Sequence, residues 1–139
     1  MTRNRAGAIL IENNKVLLIH RIKDSKEFWV FSGGGIEEGE TPEETIIREM
    51  LEETSLVVKI KSLAIEIQTN LNNKLVTETY YLVNRISGKP QISINSPEAA
   101  RMLESKNENF YELVWIPITE LNTLVVYPVE VKNFVCSLN

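Results

Sequence analysis

Residues 33–56 read GGGIEEGETPEETIIREMLEETSL, and this stretch decides how the rest of the chain is interpreted. It starts with three adjacent glycines, which permit positive φ angles and close approach of the backbone to a ligand. Thr41 is then a good N-cap, Pro42 suits the first helical position, and Glu44 completes a capping box. The pattern therefore predicts a glycine-rich loop followed by a helix from Pro42 to about Thr54.

The predicted helix has an acidic face and an apolar face. Glu49, Glu52 and Glu53 are spaced i, i+3 and i+4 and share one face. The apolar side chains centre on a different arc and predict a core-facing side; they are Ile46, Ile47, Met50 and Leu51. Clustered carboxylates beside a glycine loop suit a hard divalent cation, Mg²⁺ or Mn²⁺, whereas a glutamate-rich face by itself is more often solvated surface.

In this context the stretch resembles the signature box of the Nudix hydrolases. That box reads Gly, five residues, Glu, seven residues, Arg-Glu, an aliphatic residue, any residue, Glu-Glu, any residue, Gly and an aliphatic residue. The matching positions here are Gly34, Glu40, Arg48, Glu49, Met50, Glu52, Glu53 and Leu56. Two positions depart from the family pattern: Ser55 replaces the second box glycine, and Ser32 replaces the proline that usually precedes the glycine pair. Both departures leave the carboxylates intact.

The resemblance implies a metal site and a catalytic base. Glu52 and Glu53 would be the principal metal ligands, and the backbone carbonyl of Gly33 would supply another. Glu49 would act as a further ligand or as the general base. The implied cofactor is Mg²⁺ or Mn²⁺.

We also predict a role for Arg48 and a set of residues at the substrate. Arg48 would orient the carboxylate of Glu49 or Glu40 by a charged hydrogen bond, with a plain surface pairing to Glu52 as the alternative. Trp29 or Phe31 could stack on a base, and core packing is the alternative for both. The residues expected at the substrate are Gly34, Gly35, Glu40, Trp29 and Phe31.

Many members of this family take one more carboxylate from outside the box. Glu112 and Glu108, both shortly before Trp115, are the candidates here. Glu112 is preferred because a glutamate within a strand is unusual unless its face is wet or functional. Ordinary surface charge is the alternative for both, so the general base stays open between Glu49 and one of these residues.

The composition of the chain limits its class. A length of 139 residues suits one domain, which we expect to span residues 1–139. A net charge of −4 without a basic run argues against a surface that coats nucleic acid. Cys136 is the only cysteine, and we find neither a signal peptide nor a membrane-spanning stretch. We expect a cytoplasmic monomer or homodimer whose partner is a small-molecule nucleotide.

Patterns outside the box predict strands on both sides of the long helix. The predicted strands are 5–12, 15–22, 28–31, 57–69, 76–85 and 110–116, and a polar loop is predicted at 23–27. A terminal helix is expected from Pro128, and residues 97–105 are expected to form a short helix or an irregular lid. His20, the only histidine, is expected to be structural. This order predicts an α/β fold with a mixed sheet between helices, and the resemblance implies the Nudix α/β/α sandwich.

The resemblance leaves the substrate open within nucleoside diphosphates linked to a further group. No proline lies between Pro42 and Pro90, whereas ADP-ribose-cleaving subgroups tend to carry one shortly after the box. Tyr80 and Tyr81 lie too far along for the dinucleoside polyphosphate pattern. By elimination we favour a nucleoside triphosphate cleaved to monophosphate and pyrophosphate. The alternatives are an ADP-ribose, nucleotide-sugar or dinucleoside polyphosphate hydrolase, or a non-catalytic binding module.

Overall fold

The computed structural model of the protein describes residues 3–91 and 109–138. In these ranges the strands are β1 Arg5–Glu12, β2 Lys15–Lys23, β3 Lys26–Val30, β4 Gly33–Gly35, β5 Val57–Leu71, β6 Lys74–Ser87, β7 Asn109–Pro117 and β8 Val126–Tyr127. The helices are α1 Pro42–Thr54, a 3₁₀ helix Ile118–Thr123 and α2 Val129–Ser137. Glu108 and the segment 97–105, for which predictions were made, lie outside these ranges.

The strands form one mixed sheet whose two halves diverge. The strand order is β5-β6-β1-β2-β3-β8, with β4 beside β1 and β7 beside β2. β1 and β2 pair only near their turn, at Ile11 with Val16 and at Glu12 with Lys15. Further from the turn, β1 pairs with β4 and β6 while β2 pairs with β3 and β7. A cleft therefore opens between the two halves of the sheet.

Helices cover both faces of this sheet, as the sequence predicted. On one face, Ile46 and Met50 of α1 pack in a cluster that includes Ala8 and Leu10 of β1. On the other face, a second cluster joins Ile9 of β1 to the 3₁₀ helix and α2. β1 contributes to both clusters because successive side chains of a strand point to opposite faces. The architecture is the α/β/α sandwich.

The apolar face of α1 is narrower than the sequence predicted. Its buried positions are Thr45, Ile46, Met50 and Thr54. Ile47 and Leu51 are largely exposed, so the expectation that they face the core is wrong. The buried stripe follows the i, i+4 row of Ile46, Met50 and Thr54, and Thr45 on the neighbouring row completes it. The acidic face keeps its predicted place beside β4.

The three glycines form a strand and not a loop. Gly33–Gly35 pairs antiparallel with Arg5–Gly7 of β1, and positive φ is confined, among the described glycines, to Gly39 and Gly88. Glycine is needed in β4 because of close approach: a Cβ at Gly33 would lie 2.5 Å from the carbonyl oxygen of Ala6. The predicted polar loop at 23–27 is likewise shorter, since β3 already begins at Lys26.

No helix in residues 3–91 and 109–138 has the length and apolar character that crossing a membrane would require.

Ser55→Gly is expected to stabilise the fold. Ser55 caps the C-terminus of α1 with φ 65° and ψ 17°, and its N–H donates to the carbonyl of Leu51 at 3.1 Å. A left-handed conformation costs a residue with a Cβ, so glycine should raise the free energy of unfolding by about 1 kcal/mol. Urea denaturation measures the change. The matched control Ser62→Gly, in the interior of β5, should instead lower stability. A loss of stability on Ser55→Gly would contradict the expectation.

Candidate active site

A cavity of about 690 Å³ lies in the cleft between the two halves of the sheet, next to β4. Glu49 and Glu53 of α1 and Gly33 and Gly34 of β4 line one part of it. The helix start fixes α1 at this place: Thr41 accepts from the N–H of Glu44 and the Glu44 carboxylate accepts from the N–H of Thr41, so the capping box is complete. The structure thus joins two of the three predicted helix carboxylates to the glycine strand.

Glu49 is held against Gly34. Its side chain is 16 % exposed, and this burial raises the pKa of its carboxyl, although the positive charge of Arg48 opposes the shift. A Cβ at Gly34 would overlap the Glu49 carboxylate, so only glycine leaves room for the carboxylate in this position. A half-desolvated carboxylate is a stronger proton acceptor than an exposed one. The site therefore contains a group suited to act as a base.

Glu53 is tied to the outer edge of β4. The N–H of Gly33 donates to Glu53 Oε1 at 3.0 Å. In the β1–β4 ladder the N–H of Ala8 donates to the carbonyl of Ser32, and the N–H of Ile36 donates to the carbonyl of Asn4. Hydrogen-bonded and non-hydrogen-bonded pairs alternate along an antiparallel ladder, so Gly33, next to Ser32, belongs to a non-hydrogen-bonded pair. The N–H and the carbonyl of Gly33 consequently both point away from β1, toward α1. The backbone oxygen predicted as a metal ligand lies on the side of the carboxylates.

Arg48 connects the helix to the turn before it. Its Nε donates to Glu40 Oε2 at 2.7 Å and its Nη1 donates to Glu49 Oε1 at 2.9 Å. Glu40 also accepts from the backbone N–H of Glu37 and from the Thr45 hydroxyl. Arg48 therefore bridges Glu40 and Glu49, which is the geometry that its predicted orienting role requires. Glu40 itself was predicted to contact substrate, but its carboxylate is engaged in these bonds and does not line the cavity.

The hydrogen bonds to the Glu40 carboxylate should make the free energy of unfolding depend on pH. Hydrogen bonds from Arg48, Glu37 and Thr45 lower the pKa of Glu40 from 4.5 to about 2. The ionised group stabilises the fold above pH 4.5, and this contribution is lost as pH falls through about 2. Glu40→Gln should therefore destabilise the protein most near neutral pH, with the difference from wild type shrinking toward pH 2. Urea unfolding across this range measures the effect. Exposed Glu38 provides the control Glu38→Gln, which should show no such trend.

Glu52 and Gly35 lie at the margin of the site. The Glu52 side chain is 54 % exposed and 3.4 Å from Arg48 Nη1, the surface pairing that the sequence left as an alternative. A Cβ at Gly35 would meet the guanidinium of Arg3, and Gly35 does not line the cavity. Within residues 3–91 and 109–138, no three acidic, histidine or cysteine side chains are grouped to hold a metal ion by themselves. Arg48 Nη1 contacts both Glu49 and Glu52, two of the carboxylates predicted as metal ligands, at 2.9 and 3.4 Å.

Glu112 and Trp29 lie on the face of the sheet that points away from the cavity. Glu112 Oε1 is 3.2 Å from His20 Nδ1, and Glu27 Oε2 is 2.7 Å from His20 Nε2. The His20 ring stacks on Trp29 with centroids 4.5 Å apart. We therefore correct two predictions: Glu112 does not reach the α1 carboxylates, and Trp29 is not placed to stack on a substrate. His20 does not line the cavity, and its expected structural role stays a prediction.

Side chains alternate between the two faces of β2 and β7, so the residues next to His20 and Glu112 face the cavity. Tyr111 and Arg21, the neighbours of Glu112 and His20, line it, and Arg21 lies 5.7 Å from the centroid of the Tyr111 ring. Phe31 also lines the cavity, and its contact with the substrate stays a prediction. Further residues that line the cavity are Arg5, Glu78, Tyr80, Tyr127 and Glu130. They come from β1, β6, β8 and the start of α2, whose packing against one another no local pattern reveals.

Comparison with known proteins gives consistent matches. The family model described as NUDIX domain matches residues 1–133. The 8-oxo-dGTP diphosphatase of Escherichia coli is 34 % identical over 86 residues, which are 60 % of this chain and 67 % of that protein. The ADP-ribose pyrophosphatase of Methanocaldococcus jannaschii is 46 % identical over 56 residues, 40 % of this chain and only 33 % of that protein. The crystal structure of a MutT NUDIX hydrolase from Burkholderia pseudomallei has a TM-score of 0.69 at 19 % identity and covers 94 % of both chains.

Proposed function

The chain belongs to the Nudix family, and on this basis we propose that it hydrolyses a nucleoside triphosphate to the monophosphate and pyrophosphate with a divalent cation, Mg²⁺ or Mn²⁺. The observation that carries the proposal is the meeting of Glu49, Glu53 and Gly33 at one cavity. A phosphoanhydride repels an attacking water, so hydrolysis needs neutralised charge, a proton acceptor and fixed geometry.

The donors of this site fit a hard cation. Carboxylate and carbonyl oxygens are the ligands that Mg²⁺ and Mn²⁺ prefer. Glu53, Glu52 and the Gly33 carbonyl would hold the ion, with Glu49 able to join them. When bound, such an ion supplies positive charge at the phosphate oxygens.

The chain's own groups supply the remaining requirements. The raised pKa of Glu49 suits it to accept the proton of the attacking water, and Arg48 keeps its carboxylate in place. The guanidinium of Arg21 adds positive charge to the opposite wall of the cavity and attracts a polyanionic substrate. Rings such as those of Phe31 and Tyr111 offer apolar surface to the nucleoside.

The substrate is proposed from the names of relatives and from the sequence pattern. The Escherichia coli relative is named for a nucleoside triphosphate substrate and the Methanocaldococcus jannaschii relative for ADP-ribose. The missing proline after the box favours the triphosphate. A non-catalytic binding module is the weaker alternative, since it would not need all of Glu49, Glu52 and Glu53.

A substrate panel with Mg²⁺ tests the proposal. Ordinary and oxidised nucleoside triphosphates, ADP-ribose, nucleotide sugars and dinucleoside polyphosphates are compared by kcat/KM, with products identified by chromatography. We expect a triphosphate to be preferred and to yield pyrophosphate. A kcat/KM for ADP-ribose or a dinucleotide about tenfold above every triphosphate would overturn the substrate and leave the hydrolase assignment standing.

A further inference from the structure

The wall of the cavity between β1 and β6 carries a carboxylate held by two neighbours. The Glu78 side chain is 23 % exposed, and its Oε1 accepts from the hydroxyl of Tyr80 at 3.2 Å. Arg5 Nε lies 4.0 Å from the same oxygen. Both contacts reach Oε1, which retains a further lone pair, and in the described part of the chain Oε2 is left for a ligand. Glu78 is thus positioned and still able to accept hydrogen bonds.

The charge on this wall does not suit phosphate. Burial, and then the negative charge of Glu78, raise the pKa of the Tyr80 hydroxyl, and Glu130 acts in the same direction. The Tyr80 hydroxyl donates to Glu78, and two carboxylates lie near this hydroxyl. Among the described residues, Glu78 and Glu130 outnumber the one guanidinium on this wall, that of Arg5, so the wall is net negative and phosphates placed there would be repelled. The phosphate chain belongs beside the α1 carboxylates and their cation, and the β1–β6 wall is left for the nucleoside.

Stacking on the cavity rings cannot by itself select a base, because every base has an aromatic face. A carboxylate can select, because an ionised carboxylate only accepts hydrogen bonds. A base edge that presents an acceptor to Glu78, such as N1 of adenine or the carbonyls of uracil, is disfavoured. Guanine instead presents two adjacent donors, N1–H and the 2-amino group, which match the two carboxylate oxygens.

We propose that Glu78 is a specificity residue that binds the donor edge of the nucleobase and favours guanine-type nucleotides, an inference that rests on the proposed function. Tyr80 and Arg5 are positioning residues that hold the carboxylate toward the base. The 2-amino group is the decisive contact, because hypoxanthine keeps N1–H and the ring system but lacks this group.

Binding of GMP and IMP, measured by isothermal titration calorimetry, tests the inference without turnover. Wild type is expected to bind GMP about tenfold more tightly than IMP, since a site built for a hydrogen-bonding group rejects the analogue that lacks it. Glu78→Gln exchanges one acceptor for a donor and should reduce the ratio to within about twofold, mainly by weakening GMP. The matched control is Glu12→Gln, because Glu12 also pairs with an arginine across β1 and β6, at 3.1 Å from Arg85 Nε, but outside the cavity. It should leave the ratio unchanged.

Several results would overturn the role of Glu78. Equal binding of GMP and IMP by wild type, an unchanged ratio in Glu78→Gln, or equal weakening of both nucleotides would each do so, the last by showing a contact to the sugar. Thermal melting of Glu78→Gln verifies that the variant is folded. Turnover of the triphosphate panel, with GTP and ITP included, is measured in parallel: failure to hydrolyse any triphosphate would contradict the proposed function, while the binding ratio would still decide the role of Glu78.

Discussion

Replacing Glu53 with glutamine is expected to lower kcat by roughly 100-fold or more while leaving the protein folded. Loss of a group that merely supports a metal ligand costs 10–100-fold in typical sites, and Glu53 is proposed as a ligand itself. Glutamine keeps an oxygen that can accept the N–H of Gly33, so the contact between α1 and β4 survives. The charge that would hold the cation is lost.

Steady-state kinetics at saturating Mg²⁺ measure this effect, and thermal melting without metal verifies the fold. Glu38→Gln is the control, because it removes the same charge from an exposed position outside the cavity. A Glu53→Gln variant that retains most of the wild-type kcat would remove Glu53 from the proposed metal site.

Gly34→Ala should abolish most activity at little cost in stability. The added Cβ would overlap the Glu49 carboxylate, which is the end of a flexible side chain and can swing away. The fold then survives, but the proposed base leaves its position, and we expect kcat to fall by on the order of 100-fold. Steady-state kinetics with a triphosphate measure kcat, and urea denaturation measures the free energy of unfolding.

Gly33→Ala provides the contrast one residue earlier. Its Cβ would meet the backbone oxygen of Ala6 at 2.5 Å, so the β1–β4 pairing itself must shift. This variant should lose about 1–3 kcal/mol of stability, as overpacked sites do. If Gly34→Ala proved the less stable of the two, or retained wild-type kcat, the close fit between Gly34 and Glu49 would be disproved.

The local parts of this molecule could be predicted from the sequence. The cap at Thr41, the start of α1 at Pro42 and the acidic face depend on residues within one or two helical turns. The left-handed cap at Ser55 follows from the position where the box has glycine. The family match bears out the resemblance on which the metal site was proposed.

The parts that depend on strand pairing could not be predicted. Glu78 enters the cavity because β6 runs parallel to β1 with Glu78 opposite Arg5, a register set by chain segments far apart in sequence. The face of Glu112 depends on the register of β7 against β2, where it pairs with His20. A one-residue shift in either register would reverse these placements. Composition and spacing do not contain that information.

The dependence of turnover on the divalent cation tests the central claim most directly. The preferred triphosphate is incubated with the protein over a titration of Mg²⁺ and with excess chelator, and ³¹P nuclear magnetic resonance identifies the products. We predict no turnover in chelator, a saturable rise with Mg²⁺ to a kcat on the order of 1 s⁻¹ or more, and monophosphate with pyrophosphate as products. Turnover that persists undiminished in chelator, or no hydrolysis of any nucleotide at saturating Mg²⁺ or Mn²⁺, would contradict the account.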